Sequence, residues 1–188
     1  MPKKSLASTA APNPIDVIRG RQGLTAVLDG DPARRREYPR RLADCCATEG
    51  VQVVLIEEHH FRSSLHLLQQ LASALGLAVK RQYFRQRAVL DAVLEKRINP
   101  DPNIALIIND AHTLTDDLGD EIHGLWNSFA TSPYRGLYHP IQTILLGDDR
   151  LKELLLMKRG PWPALKSHCY SWFQIPPDSS GRTPTAER

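Results

Sequence analysis

Residues 49–64 read EGVQVVLIEEHHFRSS, and the fold turns on how this stretch is read. Val51-Gln52-Val53-Val54-Leu55-Ile56 is β-branched and nearly continuous in apolar side chains, the composition of a strand buried on both faces. Glu57 to Arg62 make a polar turn. Ser63 then opens SSLHLLQQLASAL, an amphipathic helix over 63–75. Its Leu65, Leu68, Leu71 and Leu75 keep helical spacing, and Gly76 supplies the stop.

Two more strands of the same kind follow, Ile104–Ile108 and 141–146, and Cys169–Ile175 reads as a last one. Between them lie predicted helices at 86–97, 115–129 and 149–158, with a short second strand expected at 77–79. Upstream, Asp31 is a candidate N-cap with Pro32 just inside the helix 31–47. Pro39 interrupts that helix, so its stable part is expected to begin near there. Strands alternating with helices from 51 to 175 demand an α/β architecture: a parallel central sheet with helices on both faces. The expected organisation is a mostly disordered segment at 1–30, one α/β domain at 31–177 and a disordered tail at 178–188.

The chain has 188 residues and 41% hydrophobic content, enough for one core. No apolar run is long enough to span a membrane, and the N-terminus lacks the apolar core of a secretory signal, so a cytoplasmic protein is expected. Cys45, Cys46 and Cys169 form no pairwise framework and read as core or semi-buried thiols. Charge is uneven: residues 1–100 hold 16 Lys/Arg against 10 Asp/Glu, residues 101–188 hold 8 against 11. The densest basic run is Arg34, Arg35, Arg36, Arg40 and Arg41. A protein contact or a solvated face ranks above nucleic acid for it, because only Tyr38 interleaves an aromatic ring.

The order of segments resembles the AAA+ ATPases of the ExeA-like group, associated with bacterial type II secretion and pilus biogenesis, and the TniB-like transposition helper ATPases. Four short stretches carry the resemblance. Ile56-Glu57-Glu58-His59-His60-Phe61-Arg62-Ser63-Ser64 falls on the Walker A loop. Ile107-Ile108-Asn109-Asp110-Ala111-His112 falls on Walker B. Leu145-Leu146-Gly147-Asp148-Asp149-Arg150-Leu151 matches the end of the following strand, and Trp172-Phe173-Gln174-Ile175-Pro176-Pro177 matches the end of the core. The resemblance implies a P-loop NTPase-like three-layer sandwich, here without the helical lid domain.

The departures from those motifs imply lost chemistry. In the Walker A frame, Ile56 and Phe61 stand at the two glycines, Arg62 at the lysine and Ser63 at the Ser/Thr. Glycines let backbone N–H groups converge on phosphate, and side chains at those positions fill the concavity. Asn109 stands at the Walker B Asp and Asp110 at the catalytic Glu, which weakens the hold on Mg²⁺ and water. Glu57, Glu58, His59, His60, Phe61, Arg62, Ser63, Ser64, Asn109 and Asp110 are therefore read as a degenerate nucleotide cleft. No catalytic residue, metal or cofactor is assigned. The expected role is a pseudo-ATPase that works as a protein-interaction, scaffolding or regulatory subunit, partnered by an active ATPase paralogue or a membrane-machine component. The alternatives are a DNA-binding accessory factor in transposition or another DNA transaction, and a weak ATPase with divergent motifs. Self-closure of the cleft is expected, with His59, His60 or Phe61 packed into it and Arg62 paired to Asp110, Glu57 or Glu58.

Other constellations are weaker. Glu57-Glu58-His59-His60, with His66 beyond, could offer metal donors, but four consecutive residues rarely converge on one ion. Asp116, Asp117, Asp120 and Glu121 are explained by the dipole of the helix they begin, and Asp149 by N-capping.

Overall fold

The computed structural model describes residues 24–56, 63–96, 104–127 and 141–174. Five strands form one sheet: β1 Leu24–Leu28, β2 Gln52–Ile56, β3 Ile104–Ile108, β4 Ile141–Gly147 and β5 Cys169–Gln174. Their order is β2-β3-β4-β1-β5, and every pairing is parallel. The three strands expected from apolar runs are adjacent, but β2, expected to be buried on both faces, lies at the sheet edge with only Val54 and Ile56 buried. All five residues of β3 and all seven of β4 are buried.

The helices are α1 Pro32–Thr48, α2 Ser64–Ala74, α3 Tyr83–Lys96, α4 Asp116–Asn127, α5 Asp149–Leu156 and α6 Trp162–His168. Only the β1→β2 connection travels one way along the sheet; β2→β3, β3→β4 and β4→β5 travel the other. Right-handed crossovers therefore put α1 on one face and the remaining helices on the opposite face. The two cores follow that division. Tyr38, Leu42 and Cys46 of α1 pack with Val27, Ala105, Ile107, Ile144 and Leu146. The alternate strand residues, among them Ala26, Ile56, Leu106 and Leu145, pack with α2 to α6.

Several expectations need correction. The segment 1–30, expected to be mostly disordered, contributes β1, which lies between β4 and β5 and is buried throughout. The signal was present: LTAVL has four apolar residues and a β-branched Thr25 in five positions, closed by Asp29-Gly30-Asp31-Pro32, a turn leading into a capped helix. Helix α1 runs unbroken through Pro39, because Tyr38, Pro39, Leu42 and Cys46 are buried against the sheet and that packing outweighs the missing backbone bond. Residues 77–80 form no strand. The two prolines of Pro161-Trp162-Pro163 do not stop the chain but open α6, with Pro163 in its first turn. The N-cap of α5 is Asp148, not Asp149. On α2, Leu67 joins Leu68 and Leu71 in the buried stripe while Leu65 is only partly buried. The thiols are free, with Cys46 and Cys169 buried and Cys45 partly so. Burial pushes the Cys46 thiol up to about 12, far from the reactive range.

Candidate functional site

In an open parallel sheet, ligands lie outside the carboxyl ends of strands where neighbouring connections leave toward opposite faces. Here those neighbours are β1, which leads to α1, and β4, which leads to α5 on the other face. The crevice is therefore built from Asp29 to Arg35 after β1, Gly147 to Arg150 after β4, and Asn109 to His112 after β3. The Walker A frame placed on 56–63 follows β2, which lies at the sheet edge. Of that frame, Glu57, Glu58, His59, His60, Phe61 and Arg62 lie outside the described residues, as do the contacts expected of them. Ser63 is the N-cap of α2, its hydroxyl accepting from His66 N, and Ser64 Oγ donates to Asp117 O at 3.2 Å.

Only residues 29–31 separate β1 from α1. Three residues cannot wrap a phosphate as the longer strand–loop–helix segment of a P-loop does. The first N–H groups of a helix are a ready anion site, but here carboxylates occupy it. Asp31 Oδ1 accepts from Ala33 N at 2.8 Å, and Asp29 Oδ1 accepts from Asp31 N at 2.9 Å. Two arginines from the first turn close over Asp29. Arg34 donates through Nε to Oδ2 at 3.1 Å and through Nη2 to Oδ1 at 2.9 Å. Arg35 donates through Nη1 to the Asp29 carbonyl at 2.6 Å and through Nε to Asp110 Oδ1 at 3.4 Å. The carboxylate of Asp29 thus occupies the position of an anion at the head of α1, with its counter-charges already supplied.

The β4 side is tied to the same knot. Asp29 N donates to Gly147 O at 2.8 Å, joining the two turns. The void bounded by Val27, Asp29, Arg35, Tyr38, Leu146 and Gly147 has a volume of about 10 Å³, at the threshold for a single water. Tyr38 is buried beside it, and burial pushes its hydroxyl up to about 12. Asp110 adopts a left-handed conformation, φ 44°, which Asp tolerates better than most residues.

A second polar group sits at the ends of β3 and β4. Asp148 caps α5 and is gripped by Arg150, whose Nη2 lies 2.7 Å from Oδ2. The same Nη2 lies 2.6 Å from His112 Nε2. A guanidinium only donates, so Nε2 accepts and the imidazole proton is on Nδ1. His112 Nδ1 is buried and faces Asp148 Oδ1 at 3.7 Å, too far for a hydrogen bond. Burial lowers the His112 pKa, with Asp148 pulling the other way. The hydrogen bond from Arg150 holds Asp148 below the ordinary carboxylate value.

The structure thus gathers Arg34, Arg35 and Asp110 of the expected residues, and Asn109 follows β3, buried, with its N–H on Ile56 O at 2.9 Å. Arg36, Arg40 and Arg41 stay on the exposed side of α1. Asp29, His112, Asp148 and Arg150 complete the crevice; the Asp-Gly-Asp-Pro turn was the signal for the first. Glu121, read as a helix-dipole residue, is buried and paired to Arg87 Nη1 at 2.6 Å and Tyr83 Oη at 2.7 Å. Asp116 Oδ1 accepts from the indole of buried Trp162 at 2.8 Å. Among the described residues, no three metal-type side chains converge, and no helix is long and apolar enough to cross a membrane.

The sheet order and the placement of the crevice define a P-loop NTPase-like α/β class. Within it, the fold is that of the AAA+ ATPases: the chain is similar to the Aeropyrum pernix ORC2 protein in its ADPNP-ADP complexes, TM-score 0.60 at 11% identity over 87% of this chain and 46% of that one. It is also similar to Cdc6p from Pyrobaculum aerophilum, TM-score 0.59 at 14% identity over 92% of this chain and 48% of that one. The ADP form of the Aeropyrum protein gives a TM-score of 0.54 at 13% identity, over 82% of this chain and 42% of that one. The chain spans just under half the length of these archaeal ORC/Cdc6 ATPases. No protein-family model matches the sequence, and no curated protein does.

Proposed function

We propose that this chain is a non-hydrolysing AAA+-like domain that serves as a protein-interaction, scaffolding or regulatory subunit of a larger assembly. One observation carries the reading: at the head of α1 the Asp29 carboxylate is clamped by Arg34 while Arg35 holds the Asp29 carbonyl and faces Asp110, so the charges a phosphate would need are already engaged. A triphosphate would have to displace a buried carboxylate that accepts three hydrogen bonds and then sit beside it with like charge. Asn109 and Asp110 at the end of β3 offer one carboxylate, already facing Arg35, where Mg²⁺ positioning uses a fuller acidic set. A fold that keeps its sheet and surfaces while its cleft is internally paired is suited to binding partners. An active ATPase paralogue, as in the ExeA-like and TniB-like systems, is the partner class the sequence resemblance favours.

Thermal melting with ATP and Mg²⁺ tests the reading. A site with a Kd of ~10 μM would gain about 2.7 kcal/mol at a hundredfold excess of ligand. The expected result is no shift at millimolar nucleotide. A clear rise in melting temperature, abolished by Arg35→Ala, overturns the closed crevice and restores the ATPase reading.

A further inference from the structure

The first turn of α3 presents an aromatic ring that the core does not use. Phe84 is 83% exposed, and Val79, in the segment leading into the helix, is 52% exposed. The segment is nonetheless firmly built. Gln69 Nε2 donates to Lys80 O at 2.8 Å, and Lys80 N donates to the side chain of fully buried Gln86 at 2.6 Å. Tyr83 stands edge-on to Phe84, ring centroids 5.4 Å apart and planes at 81°, and its own hydroxyl is anchored on Glu121. The exposed ring is braced, so a planar partner would meet it with little further ordering.

Cations flank it in sequence. Arg81 and Arg85 are exposed and Lys80 is partly so. None of the three takes part in the ion pairs among the described residues. Ala88, one turn on from Phe84, is exposed as well. A braced aromatic face amid unpaired cations has the two parts of a single-strand platform: a surface for a base and charges for the phosphates on either side. A lipid surface fits less well, since only Val79 extends the apolar area and interfacial anchoring needs a broader apolar face. Duplex nucleic acid fits less well too, because its bases are already stacked on one another.

We infer that Phe84, with Lys80, Arg81 and Arg85, forms a docking surface for single-stranded nucleic acid, one base stacking on the Phe84 ring. The surface lies on the face carrying α2 to α6, opposite Arg36, Arg40 and Arg41 of α1, and it is independent of the crevice.

Fluorescence anisotropy of the full chain with a labelled 20-nucleotide single strand, a hairpin duplex and phosphatidylserine vesicles tests it. Single strand should bind best, with a log–log salt slope of about −2 for three phosphate contacts. Phe84→Ala should weaken binding about tenfold with unchanged melting temperature, since the ring is exposed. Arg81→Glu with Arg85→Glu should abolish it, and the triple variant Arg36→Glu, Arg40→Glu, Arg41→Glu should retain most of it. Absence of single-strand binding, equal binding of duplex with a neutral Phe84→Ala, loss through the α1 triple variant alone, or Phe84-dependent binding to vesicles only would each overturn the assignment.

Discussion

Arg34 grips the carboxylate of Asp29 with two near-parallel hydrogen bonds, at 3.1 and 2.9 Å, while only 3% of the Asp29 side chain meets solvent. The acid ends a central strand and the base belongs to the first turn of the helix it feeds, so the pair locks β1 to α1 at the crevice. Removing the base would strand a buried charge. Arg34→Ala is expected to lower stability by about 2 kcal/mol, the range for hydrogen bonds to charged groups, moderated by the arginine's partial exposure. Urea melts of Arg34→Ala, Asp29→Ala and the double variant would show coupling above about 1 kcal/mol. Additive effects would mean that the clamp is not the unit described.

Gly147 ends β4 where α5 turns back over the sheet. A Cβ there would lie 2.8 Å from Leu151 Cβ and 3.0 Å from its Cδ2. The first of these atoms is fixed by the helix backbone and has no rotamer to retreat to. Gly147→Ala is therefore expected to cost about 1–3 kcal/mol through overpacking. A chemical melt within ~0.5 kcal/mol of wild type would show that α5 can shift.

Arg87 ties α3 to α4: Nε reaches Asp91 on its own helix, while Nη1 reaches Glu121 at 2.6 Å and Nη2 reaches Gly124 O at 2.7 Å. Burial opposes its charge, but Asp91 and Glu121 prevail and raise its pKa. An ammonium keeps the charge but cannot hold this fork. Arg87→Lys should lose about 2 kcal/mol, as Glu121 is left buried and half-satisfied; calorimetric or denaturant melts at neutral pH measure it.

His112 sets an acid limb on stability. Its folded pKa lies below 6.5, its ordinary value, chiefly through burial. As pH falls below 6.5, the unfolded chain takes up a proton that the folded chain refuses, so stability falls until the folded pKa is passed. Asp148, also depressed, adds a loss below its ordinary 3.8. The stability of His112→Gln relative to wild type should therefore improve on going from pH 7.5 to pH 5. A pH-independent difference between the two proteins would remove His112 from the limb.

The strands 51–56, 104–108 and 141–146 were legible because a strand buried on both faces must be apolar at nearly every position, and that needs no tertiary context. Alternation with amphipathic helices then fixed a parallel sheet. The short strand Leu24–Leu28 escaped because four apolar residues and a threonine, amid prolines and charges, are a weak local signal. Its identity as a central strand comes from pairing with β4 and β5, which lie more than a hundred residues away. The same distance hid the crevice. Spacing alone allowed a phosphate-loop frame at 56–63, one strand too late. Only the order β2-β3-β4-β1-β5 shows which strand ends lie side by side. The sequence by itself determined the fold class, because burial on both faces and the strand–helix alternation are written in local composition. The tertiary structure alone decided that Asp29, Arg34, Arg35 and Asp110 meet, because ion pairs between residues as far apart as Arg35 and Asp110 depend on where the sheet brings its strand ends together.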